Sequence, residues 1–106
     1  MSDVETRFAK IAGALEGEDG VTLGSGKRGF GSDALQVDGR IFAMVSHDRF
    51  VVKLPRERVA ELIASGDGLA FDAGKERPMK EWVVVTERVA RRWLNLAKEA
   101  RAFVAG

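Results

Sequence analysis

The sequence contains no cysteine, which excludes disulfides, cysteine-ligated zinc, iron–sulfur clusters and a thiol nucleophile, and fits a reducing compartment. Its one histidine, His47, is too few for a His-rich zinc site and leaves any serine nucleophile a single imidazole as base. No spacing of carboxylates suggests a metal site in its place, so neither metal nor cofactor is expected. An excess of one charge is also missing. Lys and Arg total 17 against 16 Asp and Glu, a net charge of +1, so nothing global draws the chain to polyanions or membranes. No apolar run approaches the roughly 20 residues of a membrane span. The opening Met1-Ser2-Asp3-Val4-Glu5 is acidic and unlike a signal peptide. A soluble, cytoplasmic protein is the expectation. There is no internal repeat, linker or low-complexity tract.

What remains is ordinary globular material: 106 residues, 45% hydrophobic and 31% charged, enough for a single domain over 1–106 that buries roughly 60 to 70% of its unfolded surface. Val4, Phe8, Ile11, Ala12 and Leu15 lie along one stripe of a helix over 3–16, with Ser2 and Glu5 as its capping box and Gly17 and Gly20 at its end. The period then changes. Val21-Thr22-Leu23 is a short strand candidate. Ala34-Leu35-Gln36-Val37 and Arg40-Ile41-Phe42-Ala43-Met44-Val45 flank Asp38-Gly39, the signature of a tight hairpin. After Ser46-His47-Asp48, residues 49–54 alternate Phe50, Val52 and Leu54 onto one face.

Pro55 suits a first helical turn, and Val59, Leu62 and Ile63 give a second helix that ends at Gly66. Gly68-Leu69-Ala70-Phe71 reads as a brief strand and Glu81-Trp82-Val83-Val84-Val85 as a clear one. Thr86 is placed to cap a closing helix over 87–104, whose stripe is Val89, Trp93, Leu96, Ala100 and Val104. This order predicts an α+β fold, a two-layer sandwich. An antiparallel sheet of about four to six strands would be covered on one face by N-terminal, middle and C-terminal helices. The other face would then present an apolar patch able to take a protein partner, a small ligand or a second copy of the chain.

Several motifs carry candidate chemistry. Gly24-x-Gly26-x-x-Gly29 matches the dinucleotide fingerprint, but it leads into a hairpin and not a helix, so it reads as a glycine-rich connection with a basic tip at Lys27 and Arg28. His47 beside Asp48 reads as a turn residue, and no catalytic set emerges from it. The stretch from Gly74 to Trp82 mixes Lys75, Arg77 and Lys80 with Pro78, Met79 and Trp82. An aromatic among cations can stack a base while the cations hold a phosphate; alternatively, Pro78 fixes a turn and Trp82 opens a buried strand. In the last helix Arg88, Arg91 and Lys98 share a face with Asn95, opposite the apolar stripe, and could lie along phosphates or simply be solvated.

The segments Arg28-Gly29-Phe30-Gly31, Leu35-x-Val37-Asp38-Gly39-Arg40-Ile41-Phe42-Ala43-Met44, Val52-Lys53-Leu54, Phe71 and Arg77-Pro78-Met79-Lys80-Glu81-Trp82 resemble the TfoX N-terminal-domain family (TfoX/Sxy-like). That family is similar in turn to the MmcQ/YjbR-like small domains. The resemblance spans about residues 5–104. It implies a compact α+β domain with an antiparallel sheet and brings no catalytic residue set. Full-length TfoX-type proteins are associated with regulation of natural competence and carry a helical C-terminal domain, which this chain is expected to lack. DNA binding has been suggested for YjbR-like domains. The expectation is a non-enzymatic regulatory or interaction module, associated with nucleic acid through Lys27, Arg28, Arg77, Lys80, Trp82, Arg91 and Lys98. The alternative is a protein-partner or small-ligand module, with a homodimer through the open sheet face as one form of it.

Overall fold

The computed structural model describes residues 3–24, 34–71 and 80–106; the expected Ser2 cap, the glycine-rich connection with Lys27 and Arg28, and Arg77 lie outside them. In chain order the elements are α1 (Asp3–Leu15), β1 (Val21–Gly24), β2 (Ala34–Val37), β3 (Arg40–Ser46), β4 (Arg49–Lys53), α2 (Arg56–Ser65), β5 (Gly68–Ala70), β6 (Trp82–Val85), a 3-10 segment (Glu87–Arg92) and α3 (Trp93–Ala105). The strands form one antiparallel sheet in the order β1-β2-β3-β4-β6-β5. The α+β arrangement is the one the periodicities predict.

Two tight turns set the meander. Asp38 and Gly39 both have positive φ, 53° and 84°, as a two-residue type I′ connection requires, and Val37 pairs with Arg40 across it. His47 and Asp48 turn the next hairpin the same way, with φ of 52° and 63° and no glycine, so Ser46 pairs directly with Arg49. Between β2 and β3 the register shifts: Leu35 faces Ala43 while Gln36 faces Ile41, leaving Phe42 as the extra residue of a bulge. Phe42 and Ala43 consequently both point into the core, whereas Ile41 and Met44 point to the opposite face.

The helices gather on one face. Phe8, Ile11 and Leu15 of α1, Val59 and Leu62 of α2, and Trp93, Leu96 and Ala100 of α3 join Leu35, Phe50, Val52, Val83 and Val85 in one buried cluster. Phe50 and Trp93 stack at 4.7 Å between centroids, with Phe8 tilted onto Phe50 at 6.1 Å. Ile63, expected on the apolar stripe of α2, is instead 41% exposed. The opposite face carries a second buried cluster of Ala34, Met44, Val51, Phe71 and Val84. It is therefore not the bare apolar patch that one-sided helix packing predicts, and of its large hydrophobic residues among those described only Leu69 on edge strand β5 stands well exposed.

The closing helix differs from its expected form. Its first six residues form a 3-10 segment in which Val89 leaves helical geometry (φ −114°, ψ 32°), and Thr86 makes no side-chain cap. Its polar groups are instead directed to other partners. The Thr86 hydroxyl and amide both donate to the Asp67 carbonyl, at 3.1 and 3.0 Å, and the Thr86 carbonyl accepts the Trp93 indole N–H at 3.0 Å. The Asp67 carboxylate, largely buried, accepts from Arg92 Nη1 at 2.9 Å and lies 3.6 Å from Arg88 Nε. Arg88 is thus drawn out of the expected cationic face toward an acid.

Candidate binding site

Antiparallel pairing of β4 with β6 brings two segments that are distant in sequence side by side. Lys53 faces Trp82 in the ladder, and the Leu54 amide donates to the Glu81 carbonyl at 2.9 Å, so the residues entering β6 lie beside those leaving β4. The chain leaving β4 reaches Pro55, whose extended backbone (φ −57°, ψ 150°) precedes α2 and whose fixed φ and missing N–H cost the first turn nothing. At the other end of α2, Gly66 adopts φ 86°, and the Gly66 and Asp67 amides close on the Ile63 and Leu62 carbonyls. That cap turns the chain directly into β5, alongside β6. Gly68 permits the close approach: a methyl group there would sit 2.6 Å from Val83 Cγ2 and 3.1 Å from Leu62 Cβ.

The result is a cavity of about 500 Å³ at the corner between α2 and the β5–β6 edge. Val59 forms part of its floor, Ala60 and Ile63 one apolar wall, Trp82 another, and Arg56, Glu57 and Lys80 its charged lining. The indole is half-buried and held from two directions: Lys53 Nζ lies 5.7 Å from its ring centroid and the Phe71 ring 6.5 Å away, tilted by 56°. Arg56 and Lys80 are exposed and form no ion pair among the described residues. A fixed aromatic wall, an aliphatic wall and a net positive lining favour a flat or apolar body bearing an anionic group.

Most other described arginines near the helices are already engaged. Arg58 clamps the Glu99 carboxylate through Nε and Nη2, at 3.0 and 3.2 Å, and reaches Glu61 at 3.1 Å; the hydrogen bonds to Glu99 hold its guanidinium above the usual arginine range, against partial desolvation. Arg101 lies 3.5 Å from Glu18 and donates to the Asp19 carbonyl. The groove between α1 and β1, about 330 Å³, carries Glu5 and Glu16 and has the wrong sign for an anion.

Of the residues singled out in the sequence, Lys80 and Trp82 meet at the corner cavity, while Arg91 in the 3-10 segment and Lys98 in α3 are exposed and do not line it. Arg56, Glu57 and Ile63 complete the site and have no motif of their own; their signal is positional, since Pro55 starts the helix that carries them. His47 sits in the exposed β3–β4 turn. No group of three or more metal-ligating side chains occurs among the described residues, and none of their helices is long and apolar enough to cross a membrane. The chain matches no protein-family model and no curated protein.

Proposed function

We propose that this chain is a non-enzymatic regulatory or interaction module of the TfoX N-terminal type, acting in the cytoplasm by binding nucleic acid, with the α2–β6 corner as its contact surface. The observation that carries this reading is the convergence of two cations that form no ion pair among the described residues, Arg56 and Lys80, with the Trp82 indole around one cavity. Stacking on an aromatic platform contributes about 1–3 kcal/mol per base, and cations beside it hold the phosphates. A half-buried ring in a corner suits an unpaired base far better than a duplex. The non-enzymatic part is supported by the position of His47, the one imidazole, in an exposed turn that does not line the cavity.

Titration of labelled single- and double-stranded oligonucleotides at low and raised salt tests the reading. Single strands are expected to bind more tightly than duplex, with log affinity falling against log salt at a slope of about −0.7 to −1.4, the value for one or two neutralised phosphates of a single strand. Absence of binding to either at low salt would remove nucleic acid and leave the protein-partner or small-ligand module.

A further inference from the structure

Nothing in the sequence marks the corner cavity as a pocket for one defined chemical unit, yet its lining is more specific than a cationic surface needs. It is an open-mouthed cavity of about 500 Å³, within the roughly 300–1,000 Å³ of small-molecule sites. Its aromatic wall is preorganised, because Lys53 and Phe71 hold the indole. Ile63, one of only three large hydrophobic residues substantially exposed among those described, lies on the same cavity. Glu57 stands in the lining among the cations. A carboxylate there opposes a purely anionic ligand and favours one that also offers a hydrogen-bond donor, because an ionised carboxylate only accepts.

We propose that this cavity binds a single nucleotide with an amino-bearing base. The ring would lie between Trp82 and the Ala60/Ile63 wall, its exocyclic amine donating to Glu57 and its phosphate held by Arg56 and Lys80. The proposal rests on the reading of the corner as the nucleic-acid contact and narrows it to one nucleotide unit. Arginine supplies a planar fork matched to phosphate, and lysine a mobile point charge that completes it. Acidic side chains read cytosine through its amino group, a contact that uracil cannot make because it presents a carbonyl at that position. The shared chemistry, base plus phosphate, comes either from a free nucleotide or from one residue of a single strand.

The test is calorimetric titration of the whole chain with CMP, UMP and inorganic phosphate, together with competition of CMP against a labelled single strand. CMP should bind at least about fivefold more tightly than UMP, the low end of discrimination for one base contact. Glu57→Gln should narrow that ratio, and Lys80→Glu should weaken CMP by roughly tenfold or more. Trp82→Phe keeps an aromatic wall and should retain most of the affinity that Trp82→Ala loses. Displacement of the strand by CMP identifies the strand as a source of the bound unit. CMP binding without any oligonucleotide binding would uphold the pocket, assign it to free nucleotides and overturn the broader function. Oligonucleotide binding with no response to millimolar CMP, or equal binding of CMP, UMP and phosphate, would overturn the pocket and leave the broader function standing.

Discussion

On the helix-covered face of the sheet, Phe50 lies against Trp93 and Phe8, and the same cluster holds Phe42 among mainly aliphatic side chains. On the opposite face, Arg49 lies 5.8 Å from the Phe71 ring centroid and Lys53 5.7 Å from that of Trp82, beside the buried Met44, Val51 and Val84. The first face is closed by three helices that the chain itself supplies. The second combines a small apolar cluster with the long cationic side chains of Arg49 and Lys53, whose stems lie over its rings. Stability is concentrated on the first face. The second, and the corner where it meets α2, leaves the Trp82 indole half-buried, as the proposed contact requires.

The largest expected difference comes from Trp93→Ala. Removing that indole empties the centre of the helix-covered cluster and takes one of two donors from the Thr86 carbonyl, leaving it the Val89 amide, a loss of about 3–5 kcal/mol measured by urea denaturation. Met44→Ala, at the middle of the opposite face, should cost about 2 kcal/mol, because fewer neighbours surround the cavity it leaves. Equal losses for the two variants would erase the distinction between the faces.

Gly68→Ala addresses how firmly α2 is seated between them. The added methyl would press on Val83 Cγ2 and on Leu62 Cβ, so the variant should lose about 1–3 kcal/mol by overpacking and lift α2 from the β5–β6 edge. Ligand binding at the corner should weaken with it. A stable variant with unchanged binding would show that α2 moves freely without disturbing the site.

Much of this architecture is legible in the sequence because short-range rules govern it. Asp38-Gly39 fixes one hairpin, Pro55 and Gly66 bracket α2, and the stripe from Val4 to Leu15 specifies α1. Two features are not, and each is set by tertiary contact. The bulge at Phe42 breaks the alternation of β3, putting Phe42 and Ala43 on one face where strict period two would separate them. The Asp67 carbonyl accepts from the Thr86 hydroxyl, which makes no cap, and the Asp67 carboxylate draws Arg88 and Arg92 toward itself. The site shows the same division. Lys80 and Trp82 stand out as a cation beside an aromatic, whereas Arg56, Glu57 and Ile63 join them only through the β4–β6 ladder, a pairing between segments about thirty residues apart that no local pattern encodes.

The smallest effect separates the two roles of the cations on the second face. Lys53→Ala removes both the ammonium above Trp82 and the stem that shields it, and should cost about 0.5–1 kcal/mol, the range of an exposed cation–aromatic contact. Lys53→Met keeps a stem of similar length and removes only the charge, so its stability should lie near that of the parent if shielding dominates. Urea denaturation of the pair measures the split. Because Lys53 lies over the indole and outside the lining of the corner cavity, Lys53→Met should also leave ligand affinity within about twofold once the loss of one nearby positive charge is screened by salt. A larger fall at physiological salt would make Lys53 part of the binding surface, and the line between a structural face and a recognising corner would then have to be redrawn to include β4.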